Sequence, residues 1–169
     1  MNGGINLPHI NINVIKVLII FISFFFLSGH SNLKNFIFEK PKRKIERVFI
    51  HCSASDYSHH DDVSVIRKWH VEENGWSDVG YHFFITRNGE IQTGRDIEKT
   101  PSSQKGHNIS TISICLHGKD YYTEQQFKSL RKLCFMINLV YHGNISFHGH
   151  NEVSVKSCPV FNYIDVLNL

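Results

Sequence analysis

The sequence predicts a single α/β domain with a central mixed β-sheet flanked by helices, on three observations. Strand-like and helix-like runs are intermixed along the chain. The dipeptide Asn88-Gly89 joins two strand-like runs as a hairpin, so at least one antiparallel pair is expected. A long segment opening at Thr123 combines a capping-box pattern with an apolar stripe, as in a helix packed on a sheet.

The elements follow in order. Arg47 to Cys52 reads as a strand, bounded by the polar loop Ser53 to Asp62. Val63 to Asn74 reads as a helix, because Val63, Ile66, Trp69 and His70 recur at helical spacing and Gly75 supplies a stop. Tyr81 to Thr86 and Glu90 to Thr93 form the hairpin strands. Gly94 to Ser110, with Pro101 and Gly106, reads as a long loop, and loops of that length are often functional. Thr111 to Leu116 is a further strand. In the helix after Thr123, Phe127, Leu130, Cys134, Ile137 and Tyr141 form the stripe, and Gly143 ends it. Ile145 to His148 is a short strand, and Tyr163 to Leu169 reads as a truncated helix.

Composition bounds the classes. A chain of 169 residues with 12% aromatic content is globular and long enough to bury a core. Its net charge of +3 is too small to argue for nucleic acid, and no such partner is expected. Lys40, Lys42, Arg43, Lys44 and Arg47 cluster, which reads as a solvated basic linker over residues 32–46 or as a contact to an anionic membrane or wall surface. Val17 to Ser28 is uncharged and follows Lys16. That run is short for a membrane span and suits the apolar core of a signal peptide, with cleavage after Ser31. Residues 1–31 are therefore expected to be a signal peptide or membrane anchor, and 47–169 the folded domain. Export to the periplasm, cell wall or medium is the favoured reading. More Lys and Arg follow the run than precede it, so a retained anchor would make membrane contact and leave the domain in the cytoplasm.

The chain holds 12 His and 4 Cys. In an exported protein four cysteines allow two disulfides, but Cys115 and Cys134 sit in apolar patterns as core residues. Cys52 is expected on the strand face opposite His51. The run His150-Asn151-Glu152-Val153-Ser154-Val155-Lys156-Ser157-Cys158-Pro159 adds an imidazole, a lysine and a thiol to His51. Three such ligands suit a catalytic zinc with an open fourth position. Spacing alone leaves surface or hydrogen-bonded histidines as the alternative. Tyr81, at a strand start after a tight turn, reads singly as packing.

Together, VFIHCSAS (Val48 to Ser55), IRKWH (Ile66 to His70), GWSDVGYHF (Gly75 to Phe83), RNGEIQTGRD (Arg87 to Asp96), SICLHG (Ser113 to Gly118) and HNEVSVKSCPVF (His150 to Phe161) resemble one family. It is that of the zinc N-acetylmuramoyl-L-alanine amidases in the phage-lysozyme and peptidoglycan-recognition superfamily. The resemblance implies an α/β fold with Zn2+ in a surface groove, held by His51, His150 and Cys158. It implies Tyr81 and Lys156 as catalytic residues and gives no metal role to His59, His60, His82 or His148. The implied reaction is hydrolysis of the amide between N-acetylmuramic acid and L-alanine, with peptidoglycan as partner and a monomer expected. Superfamily members that bind peptidoglycan without cutting it are the alternative. The chain departs from the family pattern at Ser103, where a histidine is usual, and at Ser113, where a glycine is usual. His107 is the residue expected to compensate.

Overall fold

The structure, a computed structural model, describes residues Phe36 to Leu169. The apolar run Val17 to Ser28 and the expected cleavage site lie outside the described residues. Five strands form one sheet: β1 (Arg47–Cys52), β2 (Phe83–Ile85), β3 (Ile91–Thr93), β4 (Thr111–Leu116) and β5 (Ser146–Gly149), in the order β3-β2-β4-β1-β5. β2 and β3 are antiparallel, and every other neighbouring pair is parallel, so the sheet is mixed as expected. The helices are α1 (Val63–Lys68), α2 (Glu124–Val140) and α3 (Tyr163–Leu167).

β1 and β4 occupy the sheet centre and are covered on both faces, which is why both read as nearly continuous apolar runs. The two-residue alternation divides their side chains. Val48, Ile50, Ile112, Ile114 and Leu116 join Phe83 and Ile85 in packing against Leu130, Leu133, Cys134 and Ile137 of α2. The opposite face carries a smaller apolar cluster, in which Phe84 and Cys115 meet Val63, Ile66 and Val79. The rest of that face is polar and still buried, with His51, Thr111 and Ser113 pointing into it. One side of the sheet therefore supplies stability and the other supplies chemistry.

α2 is capped as its sequence predicts. Thr123 Oγ1 accepts the Gln126 N–H at 3.2 Å while Gln126 Oε1 accepts the Thr123 N–H at 3.0 Å. Its stripe is buried at Leu130, Cys134, Ile137 and Tyr141. Among the described residues all four cysteines are free and buried.

Four local readings change. The helix expected over Val63 to Asn74 is regular only to Lys68; Trp69–Glu73 form a π-type turn, with the Asn74 N–H bonded to Trp69 O at 3.1 Å. The wider turn puts Trp69 against the small apolar cluster and lets His70 Nδ1 accept the Gly80 N–H. The hairpin forms at Asn88-Gly89, but its strands close at Thr86 and Glu90, so three residues bridge them, with Gly89 at φ +86°. Asn88 Oδ1 accepts both the Thr86 hydroxyl and the Glu90 N–H, which stabilises the longer loop. β5 lies one residue further on than Ile145 to His148. Residues 36–46, expected as a solvated linker, pack onto the domain. Phe38 and Ile45 are buried, and Arg43 donates to Ile97 O and Thr111 O.

Ile114 is fully buried in β4 against α2. Ile114→Ala is expected to cost about 2–5 kcal/mol in denaturant unfolding of the metal-free protein. A loss under about 1 kcal/mol would remove this strand from the core.

Candidate metal centre

His51 lies next to the last residue of β1, on the polar face, and is 1% exposed. β5 runs parallel beside β1 with Gly149 opposite Ile50, so the next residue, His150, arrives next to His51. Their ring centroids are 4.6 Å apart. Cys158 returns to the same place because the Asn151 N–H donates to Cys158 O at 2.5 Å, closing the segment between them into a loop. The root of that loop is held by Glu152, which accepts the Gly149 N–H at 2.7 Å and pairs with His148 Nδ1 at 2.7 Å. The structure thus brings together the three ligands expected from the sequence, with their donor atoms all within 4.8 Å of one another.

The chemistry of the set suits a soft to borderline divalent cation. Cys158 Sγ is 3.9 Å from His51 Nδ1. Tetrahedral zinc with bonds of about 2.0–2.3 Å needs an N···S separation of roughly 3.6 Å, so small side-chain rotations close the set. Burial, and then His150, hold the His51 imidazolium down to about 3; burial, and then Lys156, lower His150 as well. Both rings are therefore neutral at pH 7, the form that offers a lone pair. Contact with Cys52, and then burial, raise the Cys158 thiol, and a bound cation would displace its proton. The Cys52 backbone N–H donates to Cys158 Sγ at 3.3 Å, and the Cys52 thiol, expected on the strand face opposite His51, also reaches Cys158 at the strand end.

Tyr81 sits beside the trio, with its ring centroid 5.3 Å from His51 and 5.7 Å from His70. The turn that delivers it is held by charge. Asp78 accepts from Arg67 Nε at 2.8 Å and from the Val79 N–H at 2.7 Å, and Arg95 donates to Val79 O. Burial, followed by the nearby thiols, raises the Tyr81 hydroxyl well above its ordinary value, so it stays a neutral phenol. Lys156 is exposed on the loop between His150 and Cys158, near enough to depress both imidazoles. His59, His60 and His148 stay out of the trio; His60 bonds Ser55 and His148 bonds Glu152 and Ser146.

The long loop contributes a residue that sequence reasoning missed. Gln104 is fully buried, and its Oε1 lies 3.1 Å from His51 Nε2. His107 was the expected compensating residue; here its backbone N–H and O bond Gln104, and it is Gln104 that meets His51. Gly80 makes this approach possible. The Ser102 N–H donates to Gly80 O at 3.0 Å, and a Cβ on Gly80 would fall 2.5 Å from Ser102 O. Only the proximity of Gln104 to the altered Ser103 could have flagged it.

Two histidines, one at the end of β1 and one just after β5, meet a cysteine from the loop beyond β5 with a tyrosine alongside, which defines an amidase-type site on a mixed α/β scaffold. The chain belongs to the N-acetylmuramoyl-L-alanine amidase family, whose model it matches over residues 41–161. It is 39% identical to an endolysin of Enterobacteria phage T3 over 131 residues, 73% of this chain and 85% of that relative. A solved N-acetylmuramoyl-L-alanine amidase endolysin, LysCS from Clostridium intestinale, superposes with a TM-score of 0.65. It shares 26% identity and covers 78% of this chain and 89% of its own. A Drosophila PGRP-LB variant in complex with tracheal cytotoxin superposes at 0.58, with 25% identity, 72% of this chain and 78% of that one.

His82, next to Tyr81, is a buried structural group. Its Nδ1 accepts the Ser113 N–H at 3.0 Å, while Nε2 donates to Lys99 O at 2.9 Å. Burial lowers its pKa from 6.5 to about 4. The unfolded chain takes up this proton at higher pH than the folded one, so protonation favours unfolding. The stabilisation is complete above pH 6.5 and is lost as pH falls through 4. From pH 7 to pH 4.5 this one group is expected to remove about 2 kcal/mol of stability. Urea unfolding of wild type and His82→Asn at both pH values tests this; equal losses in the two proteins would exclude His82 as a source.

Proposed function

We propose that the protein is a zinc-dependent peptidoglycan amidase that hydrolyses the bond between N-acetylmuramic acid and the L-alanine of the stem peptide. The observation that carries this reading is the convergence of His51, His150 and Cys158 beside Tyr81 in a chain of this family. An amide is a poor electrophile, and catalysis needs an activated nucleophile and a stabilised oxyanion. A zinc ion held by the three side chains would polarise the carbonyl and make water nucleophilic near neutral pH.

The remaining roles fall to the chain's own groups. The Lys156 ammonium, on the rim beside the two imidazoles, stabilises the oxyanion of the tetrahedral intermediate. Tyr81, held as a neutral phenol, accepts a proton of the attacking water at its oxygen as it passes its own to the departing L-alanine nitrogen, and so ends neutral as it began. The peptidoglycan fragment approaches from the exposed side of the loop that carries Lys156, because the opposite side of the trio is closed by the sheet. Acting on the wall also fits the apolar run Val17 to Ser28 as an export signal with cleavage after Ser31, and the enzyme works as a monomer.

Zinc-loaded protein incubated with purified peptidoglycan is expected to release new L-alanine amino termini, to stop on chelation and to resume when zinc is restored. Tight binding without release would instead make the protein a recognition module. Cys158→Ser is expected to lose both metal and release. Lys156→Ala is expected to keep its zinc and lose about 100-fold or more in turnover. Unchanged turnover in Lys156→Ala would remove the oxyanion role.

A further inference from the structure

The two positions that depart from the family pattern, Ser103 and Ser113, touch each other: their hydroxyls are 2.8 Å apart. Ser103 Oγ also donates to Gln104 Oε1 at 2.5 Å. These contacts extend into a chain of hydrogen bonds whose directions can be assigned throughout. Thr111 Oγ1 donates to Asn108 O at 2.7 Å, so toward Gln104 it can only accept. It accepts from Gln104 Nε2 at 3.0 Å, and the same NH2 group points at His107 O at 3.4 Å. The amide nitrogen thus faces two acceptors, which turns Oε1 toward His51.

With no proton of its own, Oε1 must receive one from each neighbour. One comes from Ser103, whose hydroxyl hydrogen is then committed, so Ser113 is the donor between the two serines. The other comes from His51 Nε2 at 3.1 Å. His51 therefore carries its proton on Nε2 and leaves the Nδ1 lone pair facing Cys158 Sγ. A buried imidazole without such a partner would distribute its proton between both nitrogens and lose its fixed ring orientation.

We infer that Gln104 is a positioning residue that locks His51 into the tautomer that binds a cation through Nδ1, with Ser103 and Ser113 holding the Gln104 amide in place. The inference rests on the zinc reading of the trio. It assigns the Ser103 and Ser113 departures a joint role, since a single glutamine and two hydroxyls satisfy each other on a face of the sheet that excludes water. Asn108 fixes the loop in support, its Oδ1 accepting the N–H groups of Ser103 at 3.1 Å and Gln104 at 3.0 Å.

Gln104→Met keeps the side-chain volume and removes the acceptor. Its zinc affinity is measured by competition with a chromophoric chelator, with circular dichroism to verify folding. Gln104→Met is expected to bind zinc about 10- to 100-fold more weakly than wild type. Two-bond proton–nitrogen couplings in the metal-free wild type are expected to place the His51 proton on Nε2, and to show a mixed tautomer in Gln104→Met. Wild type that binds zinc, with Gln104→Met unchanged, overturns this inference alone. A wild-type His51 proton on Nδ1 overturns it without any variant. Wild type that binds no zinc overturns the metal reading and this inference together.

Discussion

A neutral imidazole buried at the carboxyl end of β1 has two ring nitrogens to satisfy and no solvent to do it. That constraint organises the site. His51 is 1% exposed, so each of its nitrogens needs a partner supplied by the fold. Gln104 meets Nε2, and Cys158 faces Nδ1. Each partner arrives on a segment that has to be steered there: the long loop after β3, and the turn after β5. Leaving either nitrogen unmatched would cost on the order of 1–3 kcal/mol.

The sheet makes this arrangement affordable by separating its two faces. Val48, Ile50, Ile112, Ile114 and Leu116 bury against α2 and form the larger core. The opposite face then tolerates His51, Thr111 and Ser113, all fully or almost fully buried, because each of the three finds polar partners. His82 matches the Ser113 N–H, Gln104 matches Thr111, and the Arg67–Asp78 pair holds the turn before Tyr81. Stability and chemistry are thus divided between the faces, so core residues tune the one and loop residues the other.

Much of this scaffold was legible in the sequence because its signals are local. The runs at Arg47 to Cys52 and Thr111 to Leu116 are bounded by polar residues at both ends, and their strands match to the residue. The Thr123 capping box and the stripe from Leu130 to Ile137 need no tertiary information either. Where the reading failed, a distant partner had intervened. The helix after Val63 relaxes into a π-type turn because Trp69 and His70 have separate partners, in the small apolar cluster and at Gly80. Residues 36–46 look like a charged linker, but Phe38 and Ile45 find space in the core and Arg43 finds carbonyls near β4.

By itself the sequence determined the mixed sheet, the capped helix and the identity of the residues that could ligate a metal, because periodicity, caps and donor chemistry are properties of neighbouring residues. It could not determine that Gln104 rather than His107 would stand against His51, nor that Ser103 and Ser113 would compensate one another. Those pairings join residues of the long loop to β1 and β4. They depend on Gly80 letting one backbone pass within reach of another, and only the tertiary structure decides such an approach.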